Sequence, residues 1–353
     1  MISSPGRALL HLAAAVGRRP AHDAGSPVEP VRLAERGALD FVTLDDGFAR
    51  PGPDALTALA RAASATHRVG LVPTVPLTHT GPCHVRAAAA ALDRIGRGRA
   101  GWRIEASATE DEARLLDLGP ARAPGREADG DTGAAAGPRD GRVDGAGVRG
   151  AAAGRPVDRD EPDHVGSVFP AEDPTTAPRP SRGRPVRVAD ATEEPARRVA
   201  ARYADVALVR AVSLAHADSV RAGLRADAAR SGRDPDGLRI LASLVVDLGG
   251  GEHAAEPGHG GGGPRPTPRG PLYRGGPVDL AELIAGWHRR GVVDGFHIVP
   301  AEPHRDLERF VNGTVALLQH RGLFRTFYPG GTLRDHLGLA RPAGRCVVTG
   351  GTS

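Results

Sequence analysis

The sequence predicts an α/β protein, a closed (β/α)8 TIM barrel, and three observations predict it. Short apolar, β-branched runs alternate with longer stretches at helical spacing. Eight of the former can be read along the chain. The chain has 353 residues, enough for one such barrel of ~250 residues with insertions. Alternation of this kind requires a mainly parallel sheet covered by helices, because parallel neighbours need a long crossover. Eight strands point to a ring rather than an open sheet.

The first strand is ALLHLAAAV (8–16); its acid-poor flank resembles a targeting leader, but a buried strand is the better reading. Helix VEPVRLAERGA follows, with Val31, Leu33, Ala34 and Ala38 on one face. FVTLDD (41–46) and VGLVPTV (69–75) are the next strands, followed by helices DALTALARAASAT and PCHVRAAAAALDRIG. The fourth strand is GWRIEAS (101–107), after which only TEDEARLL, a capping box from Thr109 to Glu112, stands for a helix. Strands PVRVAD (185–190), DVALVR (205–210) and LRILASLVVDL (238–248) precede helices EEPARRVAARYA, HADSVRAGLRADAARSG and DLAELIAGWHRRG. GFHIVP (295–300) is the eighth strand. Its helix, HRDLERFVNGTVALLQHRG, should bury Leu307, Phe310, Val311, Val315, Leu317 and Leu318.

Two segments break the pattern. Residues 119–184 have almost no large apolar residue before Val165, and residues 249–276 are rich in glycine and proline. Such composition buries too little surface to offset the entropy of ordering. Both are expected as flexible insertions, after strands 4 and 7, in one domain spanning 1–353.

Composition narrows the function classes. All 46 basic residues are arginine, and the net charge is +4 with a pI near 9.7. Arginines and carboxylates are interspersed, with no basic stripe interleaved with aromatics, so a nucleic-acid partner is not expected. Cys83 and Cys346 lie far apart and outside any CxxC pair, which argues against a disulfide framework or a zinc site. No run approaches the ~18 apolar residues of a membrane span, and a cytoplasmic location is expected. GHGGGG (258–263), which contains His259 and follows His253, reads as loop rather than a phosphate cradle or metal site. There is no GxSxG and no HExxH.

The informative positions are the carboxyl ends of the strands, where barrels carry their sites. Asp45 and Asp46 end the second strand and Thr74 the third; Arg103, Glu105 and Ser107 alternate along the fourth. Asp190, Thr192 and Glu193 follow the fifth. Singly, each is equally well a cap or an interior residue. Together they form a polar ring suited to a phosphate at a helix N-terminus, hence to a phosphorylated cofactor.

Four stretches then carry a resemblance. They are RLAERGALDFVTLDDGF; ALTALARAASATHRVGLVPTVPLTHTGPCHVRAAAAALDRIGRGRAGW; AARYADVALVRA with ADAARSGRDPDGLRIL; and the ending from DGFHIVP through RGLFRTFYPGGTLRDHLGLARP. They resemble the bacterial luciferase-like flavin monooxygenases, in the branch with nitrilotriacetate monooxygenase, pristinamycin synthase and dibenzothiophene-sulfone monooxygenase. The likeness covers most of residues 30–118 and 185–345. It implies reduced FMN at the carboxyl-terminal mouth, supplied by a separate NAD(P)H-dependent flavin reductase, and O2 as co-substrate for oxygenation of a small organic substrate. It also implies a homodimer. An F420-dependent oxidoreductase of the same superfamily and a catalytically silent flavin-binding scaffold remain as alternatives.

By the same resemblance, Asp46 matches an aspartate near the isoalloxazine, and Thr74 a threonine after the third strand. Ser107 ends the fourth-strand motif, and Thr192 takes the place of a phosphate-contacting serine. His164, in HVGSVF, matches a family histidine. Arg103 stands where the family often has asparagine, and Glu193 and Glu194 adjoin the phosphate loop, so Arg103, Arg197 or Arg198 is expected to offset them.

The tail RGLFRTFYPGGTLRDHLGL gathers Phe324, Phe327 and Tyr328 in a chain that is only 3% aromatic. These three are expected to pack across the outer helices or a neighbouring protomer.

Overall fold

A computed structural model describes residues 9–17, 27–45, 54–76, 82–105, 164–165, 170–171, 184–249 and 263–340. The strands are β1 (His11–Ala15), β2 (Phe41–Leu44), β3 (Gly70–Pro76), β4 (Gly101–Glu105), β5 (His164–Val165), β6 (Pro170–Ala171), β7 (Val186–Asp190), β8 (Val206–Val209), β9 (Arg239–Asp247), β10 (Leu272–Arg274) and β11 (Gly295–Pro300). Parallel pairing runs β1–β2–β3–β4–β7–β8–β9–β11 and closes from β11 onto β1. The expected eight-stranded barrel is what forms. β10 adds to β9 outside this ring, and β5 with β6 makes a separate antiparallel pair.

The helices are α1 (Val28–Arg36), α2 (Ala55–Ala65), α3 (Pro82–Ile95), α4 (Glu194–Tyr203), α5 (Leu214–Arg230), α6 (Pro277–Arg290), α7 (Pro303–Arg309), α8 (Ala316–His320) and α9 (Leu333–His336). Local chemistry sets their starts. Asp54 caps α2 by accepting from the Thr57 amide at 2.8 Å, and Ser213 caps α5 by accepting from the His216 amide at 3.2 Å. Between α7 and α8 the chain continues through a wider π-helical turn, Phe310–Val315. Here Thr314 Oγ1 donates to the Pro277 carbonyl at 2.9 Å, locking this helix to the start of α6. The face expected for α1 is buried, as is that of the last helix apart from the half-buried Leu317.

Strand alternation sorts the barrel into two cores. Leu12, Ala14, Val42, Leu44, Leu71, Ile240, Ala242, Leu244, Phe296 and Ile298 point outward and pack beneath the helices. Ala13, Phe41, Val72, Val186, Val188, Val206, Leu208 and Leu241 fill the interior. Burial on both faces explains why these strands read as near-continuous apolar runs.

The tail corrects its expectation. Phe324 is buried and Tyr328 packs against the outer core, but Phe327 is 76% exposed. The apolar load falls instead on Leu333, Leu337 and Leu339, which join the interior cluster and close the barrel at the amino ends of its strands. Room for Leu333 comes from Gly70, where a Cβ would stand 2.6 Å from Leu333 Cδ1, and from the neighbouring strand's Gly101. Arg239 fastens this plug, donating to the carbonyls of Leu337 at 2.8 Å and Gly338 at 3.0 Å.

Residues 119–184 lie mostly outside the described residues. Within 249–276 the reading also needs correction: Leu272–Arg274 form β10, with Tyr273 fully buried. The glycine-rich average concealed one short segment with apolar surface to bury.

Candidate active site at the barrel mouth

At the carboxyl ends of the strands the interior changes character. Thr43, Thr74, Arg103, Ser243 and His297 continue the inward-facing phase of strands whose lower positions are apolar, and Asp45, Asp190 and Arg210 lie above them. A cavity of about 120 Å³ opens here, walled by Asp45, Arg103, Asp190, Arg210, Ser243, Arg269 and His297, with Ala15, Val245 and Val299 between them.

Charged groups of alternating sign span the mouth. Arg103 Nη1 donates to Asp45 Oδ1 at 3.0 Å, and its Nη2 lies 3.8 Å from Asp190 Oδ2. Arg210 Nη2 approaches the same Asp190 oxygen at 3.3 Å. Thr74 Oγ1 donates to Asp45 Oδ1 at 2.9 Å. The Arg103 side chain is 7% exposed, so its charge acts in a poorly screened setting. Its Nε is buried and has no hydrogen-bond partner among the described residues.

Beneath this network His297 bridges two hydroxyls. Its Nε2 lies 2.9 Å from Thr43 Oγ1 and its Nδ1 3.0 Å from Ser243 Oγ. Burial, and then the nearby Arg103 charge, lower its pKa to about 3, so the imidazole is neutral at ordinary pH.

Thr192 sits apart from this cluster, in the loop between β7 and α4. Its amide donates to Asp190 Oδ1 at 2.9 Å, while its Oγ1 is buried without a partner among the described residues. Arg197 braces the loop, donating to the Ala191 carbonyl at 3.2 Å and the Thr192 carbonyl at 2.7 Å. It also approaches Glu194 at 3.4 Å, which supplies part of the expected charge offset. Glu193 precedes α4 without capping it through its side chain.

The structure therefore brings Thr74 and Arg103 together through Asp45 and places Thr192 in a loop tied to Asp190. Asp46 and Ser107 lie outside the described residues, and His164 begins β5. Sequence reasoning passed over His297, Ser243 and Arg210. A signal existed: each is a polar residue in or directly after an apolar strand, in phase with the positions that face the axis.

Comparison with known proteins agrees with this architecture. A family model described as luciferase-like monooxygenase matches residues 4–130 and 146–266. Nitrilotriacetate monooxygenase component A of Aminobacter aminovorans is 30% identical, over 89% of this chain and 89% of its own. Dibenzothiophene-sulfone monooxygenase of Rhodococcus erythropolis is 27% identical over 88% and 89% respectively. The solved structure of EDTA monooxygenase from Chelativorans sp. BNC1 superimposes with a TM-score of 0.80 at 21% identity, over 95% of this chain and 99% of that one. With a parallel eight-stranded ring, a polar carboxyl-terminal mouth and these matches together, the chain belongs to the luciferase-like monooxygenase family of oxidoreductases.

Proposed function

We propose that this chain is the oxygenase of a two-component monooxygenase. It takes reduced FMN from a separate NAD(P)H-dependent flavin reductase and, with O2, oxygenates a small organic substrate. The observation that carries this reading is the pair of orphaned buried donors at the mouth, Arg103 Nε and Thr192 Oγ1. Buried polar atoms are seldom left without partners, and such atoms at a barrel mouth suit a polar ligand. The designation "component A" carried by the Aminobacter relative supports a division of labour with a second protein.

The donor set fits FMN in kind. Thr192 Oγ1 and the α4 N-terminus would hold the phosphate, since helix N-termini favour anions. Arg103, held between Asp45 and Asp190, would face the ring together with Thr74, and Asp46 and Ser107 are assigned to the flavin by the family resemblance. The bound flavin would supply the electrons that activate oxygen. The chain's own part is to orient the ring, keep the charge network fixed and limit access of water. His297, neutral down to about pH 3, contributes no positive charge to the site.

The test is an anaerobic titration with photoreduced FMN, repeated on Thr192→Ala and Asp46→Ala. Saturable binding by the parent chain, weakened in both variants, is the expected result. A parent chain with an intact circular dichroism spectrum and no FMN binding would sink the reading; binding of F420 alone would replace oxygenation with hydride transfer.

A further inference from the structure

We infer that Thr43 and His297 together fix Ser243 as a hydrogen-bond donor into the mouth cavity, aimed at a carbonyl oxygen or an unprotonated ring nitrogen of the flavin. The ligand named here rests on the FMN reading above. The donor itself rests on geometry.

Thr43 is completely buried, and its hydroxyl has one partner among the described residues, His297 Nε2 at 2.9 Å. A hydroxyl carries one proton and two lone pairs. Orphaning the buried proton costs more than leaving a lone pair idle, so Thr43 donates and Nε2 accepts. A neutral imidazole that accepts at Nε2 carries its proton on Nδ1. Among the described residues the acceptor for that proton is Ser243 Oγ, 3.0 Å away.

Once Ser243 Oγ accepts from His297, its own proton has no acceptor among the described residues. Ser243 is half-buried and lines the cavity, so the O–H is free to point into it. An isolated serine would donate or accept with equal ease; this one is set to donate. The charged groups acting on the imidazole are Arg103, Asp45, Asp190 and Arg210, two of each sign.

Two measurements test this. Long-range 1H–15N correlation spectra of the ligand-free wild-type chain should show His297 protonated on Nδ1 and bare at Nε2. In Thr43→Val, which keeps the shape and lies outside the cavity wall, Nε2 loses its donor and the preference for the Nδ1 proton should narrow. Titration with oxidised FMN should then give a Kd raised about tenfold in Ser243→Ala, as loss of one hydrogen bond to a ligand predicts. Thr43→Val should show a smaller rise. A proton on Nε2 in the wild-type chain, or an imidazolium at neutral pH, overturns the inference. So does wild-type binding of FMN with unchanged affinity in Ser243→Ala. If the wild-type chain binds no FMN, the functional reading fails and the ligand assigned to Ser243 falls with it.

Discussion

Arg325 Nη1 donates to Asp40 Oδ1 at 2.9 Å, joining residues 285 positions apart. Asp40 is fully buried just before β2, and it also accepts from His11 Nδ1 at 3.1 Å and the Leu12 amide at 2.7 Å. The guanidinium lies over the rings of Phe324 and Tyr328, at 5.0 and 5.2 Å, and its Nε donates to the Ala38 carbonyl. One carboxylate thus holds the first strand, the second and the tail in register at the closed end of the barrel. The open end is left for chemistry.

Replacing Arg325 by Met takes away the guanidinium and leaves the buried carboxylate to His11 and the Leu12 amide. Breaking a buried pair from one side costs about 3–5 kcal/mol, which for 353 residues corresponds to roughly 4–7 °C in Tm. Burial raises the Asp40 pKa, but the charges and hydrogen bonds of His11 and Arg325 outweigh it and the net shift is downward. A lowered carboxylate stabilises the fold above its unfolded pKa of about 3.9 and loses that contribution as pH falls through the folded value. Urea titrations should therefore separate wild type from Arg325→Met widely at pH 7 and much less near pH 2. A constant gap would refute this account.

Leu333 and Gly70 form a matched pair. Leu333→Ala should cost about 2–5 kcal/mol as a cavity in the barrel floor. Gly70→Ala should cost about 1–3 kcal/mol by overpacking, because its Cβ would meet Leu333 Cδ1 at 2.6 Å, Phe41 Cβ at 2.8 Å and the Asp40 carbonyl at 2.9 Å. In the double variant the new methyl enters space vacated by leucine. The combined loss should fall short of the sum by about 1 kcal/mol, whereas strict additivity in denaturation would separate the tail from the strand.

The barrel was legible because parallel strands buried on both faces appear as runs such as LRILASLVVDL. Which phase faces the axis was much harder to see, since both faces are apolar and only rare polar intruders mark the inner one. Ser243 and His297 are such intruders, whereas Thr74 was found near the end of its strand and Arg103 by its alternation with Glu105 and Ser107. In the tail, the aromatic cluster drew the eye to Phe327, which faces solvent. The buried element is LRDHL, whose leucines at i and i+4 share one face of a single helical turn.

His297 makes stability depend on pH up to about 6.5, beyond the carboxylate range. Its folded pKa of about 3 lies below an unfolded value near 6.5, so between these limits the unfolded chain binds the extra proton. Stability is full above about pH 6.5 and falls by roughly 1.4 kcal/mol for each pH unit below it. Buried His336, whose pKa is also lowered chiefly by burial, adds to the same trend. Denaturation of His297→Gln from pH 7 to pH 5 should show a shallower slope than wild type, whatever its absolute stability. Equal slopes would mean that His297 is protonated in the folded chain.

Thr192 and Arg103 should respond differently when the phosphate is removed from the ligand. Thr192 lies in the loop before α4, and its buried Oγ1 is assigned to the phosphate. Thr192→Ala should weaken FMN binding by about tenfold, the scale of one hydrogen bond to a charged group, and leave riboflavin binding unchanged. Arg103 lines the mouth cavity between Asp45 and Asp190, so Arg103→Met should weaken FMN and riboflavin alike. It also removes the positive charge between Asp45 and Asp190, and raising the salt concentration should partly restore binding by screening the two carboxylates. Fluorescence titration with both flavins reads all three effects. A phosphate-dependent loss in Arg103→Met, with none in Thr192→Ala, would reverse the assignment and place the phosphate beside Arg103.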